Sequence, residues 1–154
     1  VYLRFGRPKV PIFTPANQKF EIGKAWTINE GTDVTIFATG HLVWKAVEAA
    51  QQLEAEGLSV ELINIHTIKP LDEEAILASI AKTRCAVTAE EHNYLGGLGE
   101  SIAGLLARTH QVPMEMVAVQ DTFGESGKPE DLMAKYGIDT IDIVKAVKRV
   151  IARK

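Results

Sequence analysis

Thr88-Ala-Glu-Glu-His-Asn-Tyr-Leu-Gly-Gly-Leu-Gly-Glu-Ser-Ile-Ala-Gly-Leu-Leu-Ala107 has the layout of a sheet strand that delivers a polar loop into a helix rich in small residues. Cys85 to Thr88 is short, apolar and partly β-branched, as a strand covered on both faces should be. Gly96, Gly97 and Gly99 let the backbone turn tightly before the helix begins. Glu90, Glu91, His92 and Asn93 then fall at the carboxyl end of the strand, where ligands and partners meet open α/β sheets. Glycine amides at a helix N-terminus favour an anion. Here the Gly-Gly-x-Gly spacing is not a dinucleotide fingerprint, and the two carboxylates before it repel phosphate. Close packing of helix on strand is the better reading of these glycines. In the helix, Ile102, Leu105 and Leu106 form an apolar stripe, while Ala103, Gly104 and Ala107 leave an adjoining face nearly bare, open to another backbone.

Outward from this stretch, strands and helices alternate. Phe20 to Asn29 carries β-formers, and Glu30-Gly31 turns toward Val34-Thr-Ile-Phe-Ala-Thr39, a pairing expected to be a hairpin. Val43, Ala46, Val47, Ala50 and Leu53 define an amphipathic helix stopping at Gly57, and Val60 to Ile65 is the next strand, parallel to the one before the helix. Asp72 N-caps a helix with Ala75, Ile76 and Ile80 inward. Met114 to Val119 is a strand, Pro129 opens a short helix ending at Gly137, and a final helix from about Asp139 buries Ile143, Ala146, Val147 and Val150. The pattern predicts a three-layer αβα sandwich with a sheet of about five strands, mostly parallel, and one antiparallel strand from the hairpin.

Composition narrows the function. The 154 residues suit one ordinary domain, and a net charge of −3 leaves no basic surplus for a nucleic-acid backbone. No run is long and apolar enough to span a bilayer. The single cysteine, Cys85, excludes an internal disulfide, fits a reducing cytoplasm, and is expected as a buried, inert thiol. His41, His66, His92 and His110 are not spaced as a metal site, so no structural metal is expected. Ser101 and Ser126 lie in no nucleophile elbow, and Gly127-Lys128 fails as a P-loop because Pro129 stands where Ser or Thr is required. Glu90, Glu91 and His92 suit either acid–base work or a polar rim facing another protein surface, and the rim is preferred.

The first residues look different from the rest. Val1-Tyr-Leu-Arg-Phe5 lacks an initial methionine and reads as a strand without neighbours, so a fragment or cleaved product is expected. Pro8, Pro11 and Pro15 then form an extended linker, placing a boundary between residues 1–15 and a domain at 16–154.

Asp33-Val-Thr-Ile-Phe-Ala-Thr-Gly40, Ile68-Lys-Pro-Leu-Asp72, Glu90-Glu-His-Asn93 with Gly96-Gly-Leu-Gly99, and Phe123-Gly-Glu-Ser-Gly-Lys-Pro129 with Tyr136-Gly-Ile138 together resemble the C-terminal domain of transketolase. In this thiamine-diphosphate family the domain follows a pyrimidine-binding domain, and Val1 to Arg7 resembles that domain's closing strand. The resemblance implies transfer of a two-carbon ketol unit between sugar phosphates, with thiamine diphosphate as the electron sink. The family's Gly-Asp-Gly…Asn motif for diphosphate and magnesium is absent, so the resemblance implies that the cofactor is held by upstream domains or a companion subunit of a homodimeric enzyme. It gives this chain no catalytic residue and no metal ligand. Arg7, followed by Val10-Pro11, resembles the family arginine that meets the sugar phosphate. Glu90, Glu91, His92, Gly96, Gly97, Gly99 and Gly104 are loop or interface candidates. A 2-oxo acid dehydrogenase beta subunit, deoxyxylulose phosphate synthase and a purely structural dimerisation module are the alternatives.

Overall fold

The computed structural model describes residues 9–154; Arg4, Arg7 and the expected strand at residues 1–5 lie outside the described residues. Residues 9–25 form no helix or strand, in keeping with their prolines. The elements that follow are β1 (Trp26–Asn29), β2 (Val34–Ala38), α1 (Leu42–Ala55), β3 (Val60–Asn64), α2 (Glu73–Thr83), β4 (Ala86–Asn93), α3 (Leu98–Arg108), β5 (Met114–Val119), α4 (Pro129–Tyr136) and α5 (Thr140–Ile151).

The five strands are ordered β1-β3-β2-β4-β5. β2 pairs in parallel with β3 and β4, and β4 in parallel with β5. The antiparallel strand is present, but the expected hairpin is not: β1 pairs with β3, Trp26 opposite Asn64 and Thr27 opposite Ile63. The cause lies at Gly31. A β-carbon there would stand 2.2 Å from the Val60 carbonyl carbon, so only glycine lets the chain cross the start of β3 and enter β2 on its far side. Thr32 and Asp33 donate their amides to Ser59 O at the same crossing.

Alternation along the central strands feeds two helical layers. Val34, Ile36, Ala38, Leu62, Val87 and Ala89 pack under α1 and α5 with Leu42, Ala46, Leu53, Ile143, Val147 and Val150. Phe37, Ile63 and Ala86 point to the other face, against Ile76 and Ile80 of α2 and Leu98, Ile102 and Leu105 of α3. β2 is buried along its whole length, and its one polar side chain, Thr35, is satisfied inside by the hydroxyls of Ser79 and Thr83, each at 2.6 Å. The first layer is laced by Lys45–Asp139 at 2.9 Å, Thr140 Oγ1 donating to Glu48 at 2.7 Å, and Lys148–Glu56 at 2.7 Å.

Cys85 is buried, and that burial pushes its thiol above the ordinary cysteine range, the inert state expected from its strand setting.

Candidate functional site

The carboxyl edge of the sheet brings the candidate side chains together, through a break in β4. Ala89 pairs with Val117 and Asn93 with Val119, so Glu90, Glu91 and His92 lie opposite Ala118 alone. These residues belong to β4 itself, which runs on past the strand end expected at Thr88. A bulge of this kind re-aims side chains at the end of a strand. Glu90 turns to the α3 layer and is 1% exposed, whereas Glu91 turns to the α1 layer and lies open to solvent.

Glu90 explains the glycines. Its two carboxylate oxygens accept the amides of Leu98 and Gly99, each at 2.8 Å, while Glu100 Oε2 accepts the Gly96 amide at 2.7 Å. Two first-turn amides of α3, those of Leu98 and Gly99, are thus taken by Glu90, and the Gly96 amide just before the helix by Glu100. Gly97 packs on that carboxylate so closely that an added Cβ would lie 2.2 Å from Glu90 Oε2. At Gly99 a Cβ would lie 2.8 Å from Met116 Sδ, and Gly96 adopts a φ of +74°. Close packing, the preferred reading of the glycine run, holds for Gly97 and Gly99, whereas Gly96 has nothing within 4 Å of an added Cβ and serves the turn. The capping role of Glu90 had no short-range signature, because donor and acceptor are eight and nine residues apart and joined by a turn.

Glu91 meets His41, the residue before α1, with Nδ1 to Oε2 at 3.1 Å. The pair stands on the wall of an open groove of about 960 Å³, whose lining includes Lys9, Val10, Trp44, Lys128 and Tyr136. His92 is exposed and its Nδ1 lies 3.3 Å from Asn93 O; it does not join His41. Asn93 Oδ1 accepts the Leu95 amide at 2.9 Å and its Nδ2 donates to Asp121 at 3.2 Å, tying the β4 exit to the β5 exit. Gly104 lies elsewhere, on the outer face of α3, where a Cβ would meet nothing within 4 Å. Beside it Ala103, Leu106, Ala107 and Met114 border a hollow of about 200 Å³. The bare helix face therefore does not pack on the domain's own sheet. Among the described residues no three His, Cys, Asp or Glu side chains are grouped to hold a metal ion.

A three-layer domain with a mixed sheet and a polar carboxyl edge matches known proteins. The family model described as "Transketolase, C-terminal domain" matches residues 23–143, and the chain belongs to that family. It is 43% identical over its whole length to "6-deoxy-6-sulfo-D-fructose transketolase subunit SqwH" of Clostridium sp. (strain MSTE9), covering 48% of that protein. It is 33% identical over 99% of its length to an apulose-4-phosphate transketolase subunit of Phocaeicola vulgatus, covering 49% of it. The chain thus spans about half the length of these curated relatives. A solved "Split gene transketolase, inactive beta4 tetramer" superposes with a TM-score of 0.89 at 40% identity, covering 93% of this chain and 47% of that one.

Proposed function

We propose that the chain is the C-terminal part of a transketolase that transfers a two-carbon ketol unit between sugar phosphates, serving assembly and completing the substrate entrance through Arg7. The observation that carries this is the family match over residues 23–143 together with relatives named as transketolase subunits. Both of those names specify a sugar with an acidic group, a sulfonate in one and a phosphate in the other. A guanidinium suits either anion through its bidentate, permanently charged fork.

The described residues do not fit thiamine diphosphate and magnesium. The α3 amides of Leu98 and Gly99 that would face a diphosphate are held by Glu90, the Gly96 amide just before the helix is held by Glu100, and among the described residues no three His, Cys, Asp or Glu side chains are grouped for a metal ion. Both belong to the pyrimidine- and diphosphate-binding parts of the complete enzyme, supplied upstream or by a companion subunit. The open face of Ala103, Gly104 and Ala107 supports a further contact there with a second copy.

Two measurements test this. Calorimetry of the isolated chain with thiamine diphosphate and magnesium should show no binding, and micromolar affinity would overturn the assignment. In the complete enzyme, Arg7→Ala should cost about 1.5–3 kcal/mol in kcat/KM for phosphorylated donors and much less for unphosphorylated ones. Arg7→Lys should recover only part of that loss. Equal losses on both donor types would remove Arg7 from the substrate.

A further inference from the structure

Seven of the eight large apolar side chains exposed among the described residues lie at one end of the sheet, the carboxyl end of its parallel strands. β3 runs out toward Ile68, β4 toward Leu95 and β5 toward Phe123, all three exposed. β1 runs the other way, with Trp26 opposite Asn64, so Phe20 and Ile22 before it come to the same end. The Phe20 ring stands 4.6 Å from that of His66, just past β3. Val10 lines one groove with His41, which follows β2, and with Gly124, next to Phe123; Ile12 is two residues further on. Between Ile12 and Phe20 only Phe13 turns inward, stacking on Trp44 of α1 with ring centroids 6.2 Å apart, and so holds the segment against this end. The eighth side chain, Ile141, stands apart, in a hollow beside Glu48 and Gln51 of α1. At the opposite end of the sheet, residues 30–33, 56–59 and 109–113 expose no large apolar side chain. Single exposed apolar residues are ordinary, but their concentration on one end of a domain marks a contact surface.

We propose that this end is the docking face for the other half of the same transketolase subunit, with Phe20 on the β1 side and Phe123 on the β5 side as its anchors. The proposal rests on the assignment of the chain to the C-terminal part of such a subunit. The chain covers 48% and 49% of two transketolase subunits and 47% of the split-gene chain, so a body of about equal length accompanies the matching domain in each. A body that precedes a C-terminal domain joins it through the segment before β1. That segment runs along this end and carries four of the seven exposed apolar side chains. A second copy has a different place, the outer face of α3. Three carboxylates at the docking end are already paired, Glu91 with His41, Asp121 with Asn93 and Glu125 with Lys135, so covering the face leaves none of these charges bare. Exposed phenylalanines are the side chains that anchor such contacts, because each buries a large apolar ring at little entropic cost.

The experiment uses the complete enzyme, with the photoreactive p-benzoylphenylalanine in place of Phe123 and the cross-linked peptides identified by mass spectrometry. Irradiation should join position 123 to a peptide of the preceding half of the subunit. Cross-links only to residues 9–154 or to a companion chain would overturn the choice of occupant, and the absence of any cross-link would overturn the docking. A second measurement follows trypsin cleavage after Lys19, an exposed residue beside Phe20 that the docked half should shield. Phe123→Ser should speed that cleavage roughly tenfold by populating the undocked form, and Phe123→Leu should restore most of the protection. Ile141→Ser removes an equally exposed apolar side chain away from this end and should leave the rate unchanged. Thermal unfolding checks that each variant is folded. Unchanged cleavage in Phe123→Ser, or equal acceleration in Ile141→Ser, would also overturn the docking. An enzyme that cross-links as expected but transfers no ketol unit would count against the transferase reading and leave the docking face in place.

Discussion

Helices α3 and α5 begin in opposite ways. At α5, Asp139 accepts the Thr140 amide at 2.7 Å and Asp142 reaches back to the Asp139 amide at 3.2 Å, a capping box written within four residues. At α3, the N-cap is Gly97, which has no side chain to offer, and the caps come from Glu90 on β4 and Glu100 within the helix. A local cap fixes only where its own helix starts. The Glu90 cap fixes the helix to the strand, and it demands glycine at the point where the two touch. What resembled an anion-binding loop is therefore a completed internal contact.

Removing the long-range cap should do the most damage. Glu90→Ala leaves two buried amides without acceptors and should lower stability by about 3 kcal/mol in urea unfolding. Glu90→Gln retains one acceptor oxygen and should cost roughly half as much; equal costs would mean that only volume matters at this site. Gly97→Ala approaches the same contact from the helix side. Glu90 cannot retreat without releasing Leu98 and Gly99, so overpacking should cost about 2 kcal/mol.

The local cap should cost less and respond to acid. Asp139→Ala should lose about 1 kcal/mol in the same assay. Burial is the largest single influence on the Asp139 carboxyl and pushes it up, but the Lys45 ammonium at 2.9 Å and the Thr140 amide together hold it below the usual carboxylate range. The folded value lies below the unfolded one, so this stabilisation is present above the ordinary aspartate value and lost as pH falls through the lowered one. The gap between wild type and Asp139→Ala should close on acidification. Lys45 is raised, chiefly by its bond to Asp139, so its share is present below the ordinary lysine value and lost as pH rises through the raised one.

The smallest effect on unfolding is expected at Gly104. Its outer face is open, so Gly104→Leu should change the unfolding free energy of the single chain by less than about 1 kcal/mol. If α3 forms the proposed contact with a second copy, sedimentation of the complete enzyme should nevertheless show weakened association, because the bulky side chain would stand in that contact. Unchanged association would take α3 out of the interface.

The contrast between the two helix starts also marks how far sequence alone reaches. Asp72 before α2, Pro129 opening α4 and Gly137 closing it act within a few residues, and each sits where its residue type requires. The alternation of elements likewise led to the three layers, whereas the single antiparallel strand was expected from a hairpin that the fold does not form. The partner of β1 was not legible, because hairpin chemistry at Glu30-Gly31 and close passage of Gly31 over Val60 leave the same glycine in the sequence. Neither was the division of labour between Glu90 and Glu91. It depends on which helical layer each faces, and hence on a bulge opposite Ala118 that adjacent sequence does not announce. The stack of Phe13 on Trp44 joins residues 31 positions apart through two aromatics that no periodicity links.

β5 ends the sheet, and among the described residues its outer edge has no strand beside it. Met114-Glu-Met-Val-Ala-Val119 would be a β-prone, nearly uncharged segment but for Glu115, which is gripped by Arg149 at 3.1 Å and by Arg153. That cluster of charge keeps this rim from serving as a template for other chains, the usual hazard of an open edge. Glu115→Val would leave the sandwich folded yet make concentrated solutions turn turbid on standing, a loss of colloidal stability rather than of structure.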